Sequence, residues 1–201
     1  MNKKGDWVKP FTSDLISNMK ETIKKAYGNA ESLLEDAQLL LENRRYSRST
    51  ALAILSEEEF SKSFILLVCL GQQRWDSNIY KALRAHATKQ GISEAAREHY
   101  NWAIENIKMV EEMNKTSFIK NEPALIPDEE RLNDLKDLAS SRFKKPIKDH
   151  LKQDSFYVSL DKDSKIISTP EKITEINAKQ TIEEAKDFKS ATKALMRANS
   201  L

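Results

Sequence analysis

Glu58, Lys62, His86 and Lys89 are the residues whose types and spacing suit chemistry in this chain. Glu58 and Lys62 lie four apart on the stripe Ala51, Leu55, Glu58, Lys62, Ile65, Cys69, so both charges project from an otherwise apolar helix face. Buried charge is costly unless paired, and an i, i+4 Glu–Lys pair supplies one partner. His86 continues the stripe Ile79, Leu83, His86, with Arg84 nearby and Lys89 one turn on. An imidazole titrates near neutrality and can act as general acid or base. Flanking cations can hold a phosphate and the charge that develops on it. Each feature also has a purely structural reading: an ion pair tying helices together for Glu58 and Lys62, packing or capping for His86. Glu57, next to Glu58 in a run of three glutamates, is expected to face water.

A second basic group, Arg44, Arg45 and Arg48 with Tyr46, falls in the turn NRRYSR. It can grip a phosphate backbone and stack a base, as single-stranded RNA sites do, or merely keep the turn soluble. His99 beside Trp102 reads as packing, and His150 in RFKKPIKDHLK as part of a solvated basic face. One cysteine and scattered histidines offer no zinc-ligand spacing. Neither a glycine-rich phosphate loop nor a G-x-S-x-G elbow is present. No metal and no cofactor are expected.

The 201 residues fit one domain, or one domain with an appendage. Charged residues make up 32 %, yet the net charge is only +2, which argues against a general nucleic-acid coat and leaves room for a local basic groove. Four glycines and five prolines among many Leu, Lys, Glu and Ala favour helices. Cys69 lies in an apolar run and reads as a buried structural thiol. The opening MNKKGDWVKPF lacks a signal peptide's apolar stretch. Phe64 to Leu70 is far shorter than the ~20 residues a bilayer needs. A cytoplasmic protein without membrane contact is expected.

The elements that must position these residues are helical. Thr12, Ser13 and Asp14 start a helix that Gly28-Asn29 either ends or bends before the stripe Leu33, Leu34, Ala37, Leu40, Leu41. A central helix, apolar around most of its circumference, spans about 47 to 70 and stops at Gly71. A third covers about 76 to 90, ending at Gly91, and a fourth begins at Ser93 and runs to about 114. Short turns between them predict an up-and-down four-helix bundle over 12–114.

A C-terminal extension, 115–201, is expected to pack on that bundle. It begins with an extended connection at 121–127, and a helix follows from Pro127-Asp128-Glu129-Glu130 until Pro146 breaks it. SFYVSL, the polar turn DKDSK and KIIS predict a small β-hairpin. Thr169 as cap with Pro170 at the first position predicts the start of the last helix.

The run EDAQLLLENRRYSRSTALAILSEEEFSKSFIL, then H-x-x-K at His86–Lys89, resembles the AbiV abortive-infection family. The distal segment LKQDSFYVSLDKDSKIISTPEKITEINAKQTIEEA carries the family's tyrosine-valine strand, polar turn, threonine-proline start and late helix, so the resemblance covers about residues 15 to 190. It implies a HEPN-like helical fold, a class that includes dimeric RNases, and bacterial defence against phage by shutting down protein synthesis. Glu58, Lys62, His86 and Lys89 match the AbiV-type motif. RNase-active HEPN domains usually carry an arginine, four to six residues, then a histidine; here only lysines stand at comparable places, Lys81 before His86 and Lys144 and Lys145 before His150.

The implied protein is an antiphage homodimer that cuts RNA or binds it, with a phage-encoded activating protein and tRNA, mRNA or the ribosome as partners. His86 is its base or acid, Arg84 and Lys89 lie near the phosphate, and Glu58 and Lys62 orient the site. The alternative is a non-catalytic module that blocks translation by binding ribosome, tRNA or a phage protein. A third reading is an antitoxin-like partner of a nucleotidyltransferase. If the second and third helices pack antiparallel, Glu58, Lys62 and His86 fall into one cluster, and Lys62→Met should cost stability as well as activity.

Overall fold

Thr12 caps the first helix as its position promised: its Oγ1 accepts a hydrogen bond from the Leu15 amide at 3.3 Å, and α1 runs Ser13–Glu42. The computed structural model describes residues 6–116, 129–144 and 147–201. Gly28 neither ends nor interrupts α1, and a Cβ added there meets nothing within 4 Å. The 3- and 4-residue spacing of Met19, Ile23, Ala26, Tyr27, Ala30, Leu34 and Ala37 is buried.

Arg44, with φ of 57°, turns the chain into α2, Tyr46–Gln72. The α1–α2 register is fixed by a ladder with a seven-residue period. Ser49, Ser56 and Ser63 donate from their hydroxyls to the carbonyls of Ala37, Ala30 and Ile23, at 2.7, 2.7 and 3.0 Å. Both sets step by seven in opposite directions, which brings one face of each helix against the other. Sliding α1 against α2 by one residue breaks all three bonds. α2 continues past Gly71, and Gln73, in the left-handed region at φ 49°, ends it.

Asp76 caps the short α3, Ser77–Arg84, accepting from the Asn78 and Ile79 amides at 2.8 and 3.0 Å. The expected helix through residue 90 does not form. Ala85 is extended (φ −91°, ψ 117°), and α4 starts at His86 and runs to Thr116 straight through Gly91. The break is held from outside, because Ser61 of α2 bonds the Lys89 carbonyl at 3.1 Å and Glu58 bonds His86.

α5 spans Glu129–Lys144 and α6 spans Ile147–Phe156. The expected connection at 121–127 and the break at Pro146 lie outside the described residues. The hairpin is present but short, with β1 (Ser159–Leu160) antiparallel to β2 (Ile166–Ser168). Ser155 and Phe156, expected in the strand, finish α6 instead. Thr169 and Pro170 start only a single 3-10 turn, Pro170–Lys172. The final helix, α7 (Glu175–Ala198), begins one turn later with a reciprocal cap between Thr174 and Asn177.

α7 inserts Ile182, Ala185, Phe188 and Ala191 into the same core as Tyr27, Ala30 and Leu34 of α1 and Phe60 of α2. Tyr27 meets Phe60 edge-on at 5.1 Å between ring centres. Among the described residues the fold is thus mainly α with one small hairpin, and α2, covered by α1, α4, α6 and α7, is its central element. No described helix is long and apolar enough to cross a membrane.

Cys69 is buried, and burial pushes its thiol up to about 11. The native protein should therefore be inert to a thiol reagent at neutral pH and react fully once denatured. Rapid labelling of the folded chain would show that its site opens.

Candidate functional site

α2 carries two adjacent buried carboxylates, Glu57 and Glu58, exposed by only 2 and 3 %. Successive helix residues point about 100° apart, so the pair can be covered only by elements on two sides. The α3–α4 break supplies one side. It places His86 and Lys89, three apart in the first turn of α4, against Glu58. His86 Nδ1 lies 2.6 Å and Lys89 Nζ 3.3 Å from Glu58 Oε2. α6 supplies the other. Lys152 Nζ donates to Glu58 Oε1 at 2.8 Å, while Lys148 donates to Glu57 and pairs with Glu184 of α7 at 2.7 Å. Ser93 of α4 also donates to Glu57.

Burial alone pushes the Glu58 carboxyl up. The Lys152 hydrogen bond, the charges of Lys89 and Lys152 and the His86 bond outweigh it and hold Glu58 below its ordinary range. An ionised carboxylate only accepts, so the 2.6 Å contact requires the proton on His86 Nδ1. Lys152, 3.3 Å from the same nitrogen, then acts on it through charge. Nε2, the ring nitrogen not engaged by Glu58, belongs to a side chain that is 52 % exposed. A histidine bonded through one ring nitrogen to a carboxylate is an arrangement that can serve as a general base.

Beside this cluster Lys62, Arg84 and Lys89 line one depression of about 390 Å³, together with Thr22, Leu66 and Leu83. Arg84 is exposed, donates to the Tyr80 hydroxyl at 3.1 Å and lies over that ring. Lys62 is paired with Glu59 and Lys89 with Glu58, so Arg84 is the cation of this hollow best placed to meet a phosphate.

Of the three residues expected to cluster, Glu58 and His86 come together, and Lys89, expected with Arg84 near a phosphate, joins them on Glu58. Sequence reasoning misassigned Lys62, which pairs with Glu59 three residues back and not with Glu58. The reason is that Glu58 is already saturated by His86, Lys89 and Lys152 from other helices. Lys62→Met is therefore expected to cost no more than ~1 kcal/mol, as for a part-exposed helical pair. Its thermal melt should nearly overlay that of wild type, and a drop of ten degrees would show that Lys62 neutralises buried charge after all.

Glu57, expected in water, is buried and doubly bonded. The reading of 142–152 as a solvated basic face fails at Lys148 and Lys152, whose side chains are 16 and 11 % exposed. His150 is exposed. Their i, i+4 spacing, one helical face aimed at two adjacent acids, was the available signal. Arg44, Arg45, Tyr46 and Arg48 stay apart from the cluster. Arg48 is ten residues before Glu58, about 15 Å along α2. The Tyr46 hydroxyl donates to Glu175 of α7 at 3.2 Å, and the three arginines are exposed. Among the described residues no group of three or more His, Cys, Asp and Glu side chains is gathered as metal ligands would be.

A HEPN family model described as AbiV matches residues 18–190. No curated protein and no solved structure matches the chain.

Proposed function

The chain belongs to the AbiV family of HEPN-type abortive-infection proteins, and from that premise we propose that it shuts down protein synthesis on phage infection by cutting RNA as a homodimer. The observation that carries the reading is the 2.6 Å bond from His86 Nδ1 to Glu58, a carboxylate that Lys89 also bonds, and Lys89 lines the hollow beside the cluster. Nε2 takes the proton of a ribose 2′-hydroxyl, and the 2′-oxygen attacks the adjacent phosphorus. The 5′-oxygen leaves, protonated by the imidazolium of the second copy's site. Arg84 and Lys89 stabilise the charge on the phosphoryl oxygens. The exposed Arg44, Arg45 and Arg48, with Tyr46, extend the RNA contact at the far end of α2. Partners are then RNA and a phage-encoded activator.

Incubating the purified chain with total RNA, alone and with extract of infected cells, tests this. Discrete new RNA ends are expected. The rival is a non-catalytic module that arrests translation by binding. The absence of an arginine four to six residues before any histidine favours it, and it requires RNA that stays intact while synthesis stops.

A further inference from the structure

Three helix faces converge on a second cavity, of about 340 Å³, within the range of small-molecule sites. α4 presents Gln90 and Arg97, α6 presents Lys148 and Leu151, and α7 presents Thr181 and Glu184. Gln90 is only 5 % exposed, yet its Nε2 has no hydrogen-bond partner in the protein, and the buried Arg97 Nε has none either. Buried donors without acceptors are rare and costly. Two of them on one helix face of one cavity mark a place for a ligand's acceptor edge.

The opposite wall has the reverse character. Glu184 accepts from Gln180 Nε2 at 3.0 Å and from Lys148 at 2.7 Å, which leaves one lone pair on each oxygen. Burial pushes this carboxyl up, but Lys148, Gln180 and Arg97 together hold it below its ordinary range, so it faces the cavity as an acceptor. Leu151 and the Thr181 methyl supply apolar surface between the two walls. A bare oxyanion suits this cavity poorly, because Glu94 lines it as well as Glu184.

We propose that this cavity binds a guanine base, whose O6 and N7 accept from Gln90 and Arg97 while N1–H and the N2 amino group donate to Glu184. Arginine paired with the O6/N7 edge is the commonest specific contact to guanine. Adenine lacks both O6 and the N1–H and N2 donors. The cavity shares Lys148 with the Glu57 pair, and Glu57 is the chain neighbour of Glu58. The proposal deepens the RNA reading above by naming the base recognised, and its test does not depend on cleavage.

Titrating the whole protein with GMP, AMP and CMP compares ligands with the same phosphate, so any preference comes from the base. GMP should bind at least about tenfold more tightly than AMP or CMP. Gln90→Leu should abolish that preference with an unchanged melting temperature in the absence of ligand, since the lost donor has no partner in the protein; Arg97→Met should weaken GMP likewise. A short oligonucleotide with one guanosine separates the sources: preference for it over its adenosine counterpart, lost in Gln90→Leu, assigns the base to RNA, while preference for GMP alone assigns a free nucleotide. Equal binding of the three mononucleotides, or none, overturns the proposal, even if RNA is cut. GMP selectivity with intact RNA leaves it standing and removes the nuclease.

Discussion

Glu58→Ala should destabilise the protein by about 3–5 kcal/mol, the range for removing one partner from a buried charge cluster. Lys89 is 4 % exposed and the Lys152 side chain 11 % exposed, and both direct their ammonium groups at this one carboxylate. Alanine strands both and leaves His86 without the acceptor that sets its tautomer. Because Glu58 is held below its ordinary range in the folded state, its contribution is complete above the unfolded value, about 4.3. It is lost as pH falls from there through the folded value. Urea midpoints should therefore be level in this respect from neutrality to about pH 5 and then fall. Glu58→Gln should show a shallower fall than wild type. Parallel acid limbs for the two proteins would mean that the carboxylate is not held ionised by its lysines.

His86→Ala should have the opposite profile, with a large loss of activity and little loss of stability. The imidazole is half-exposed, and Glu58 keeps both lysines when it goes. Removing a general base typically costs 10²–10⁴-fold in rate, whereas deleting an exposed side chain shifts stability by about 0.5 kcal/mol. RNA cleavage should thus drop by at least about a hundredfold while the melt stays within a few degrees. A variant that melts far lower would show that the His86–Glu58 bond holds the α3–α4 break more strongly than the Ser61 bond does.

The helices were legible where their periodicity is local. Thr12 and the apolar stripe of α1 lie in sequence where they act, and the apolar circumference of α2 marked it as central. The break at Ala85 was not legible, because no glycine or proline marks it. It is held by Ser61 and Glu58, more than twenty residues away. The last helix shows how neighbouring signals compete: Thr169-Pro170 is a sound start, yet Thr174 with Asn177 completes a reciprocal cap and takes the long helix.

Half of the charge cluster was hidden for the same reason. A local reading pairs Glu58 with Lys62 on its own helix, while the true partners come from the start of α4 and from α6, about ninety residues on. Glu57 looked solvated within a run of three glutamates, and only the arrival of Lys148 makes its burial tolerable.

The chemistry of the RNA ends tests the central claim most directly. If Glu58 fixes His86 so that Nε2 activates a 2′-hydroxyl, RNA treated with the activated protein in EDTA should carry 2′,3′-cyclic phosphate and 5′-hydroxyl ends, and both should disappear in His86→Ala. Intact RNA under conditions that arrest translation, or the same ends produced equally by His86→Ala, would contradict it.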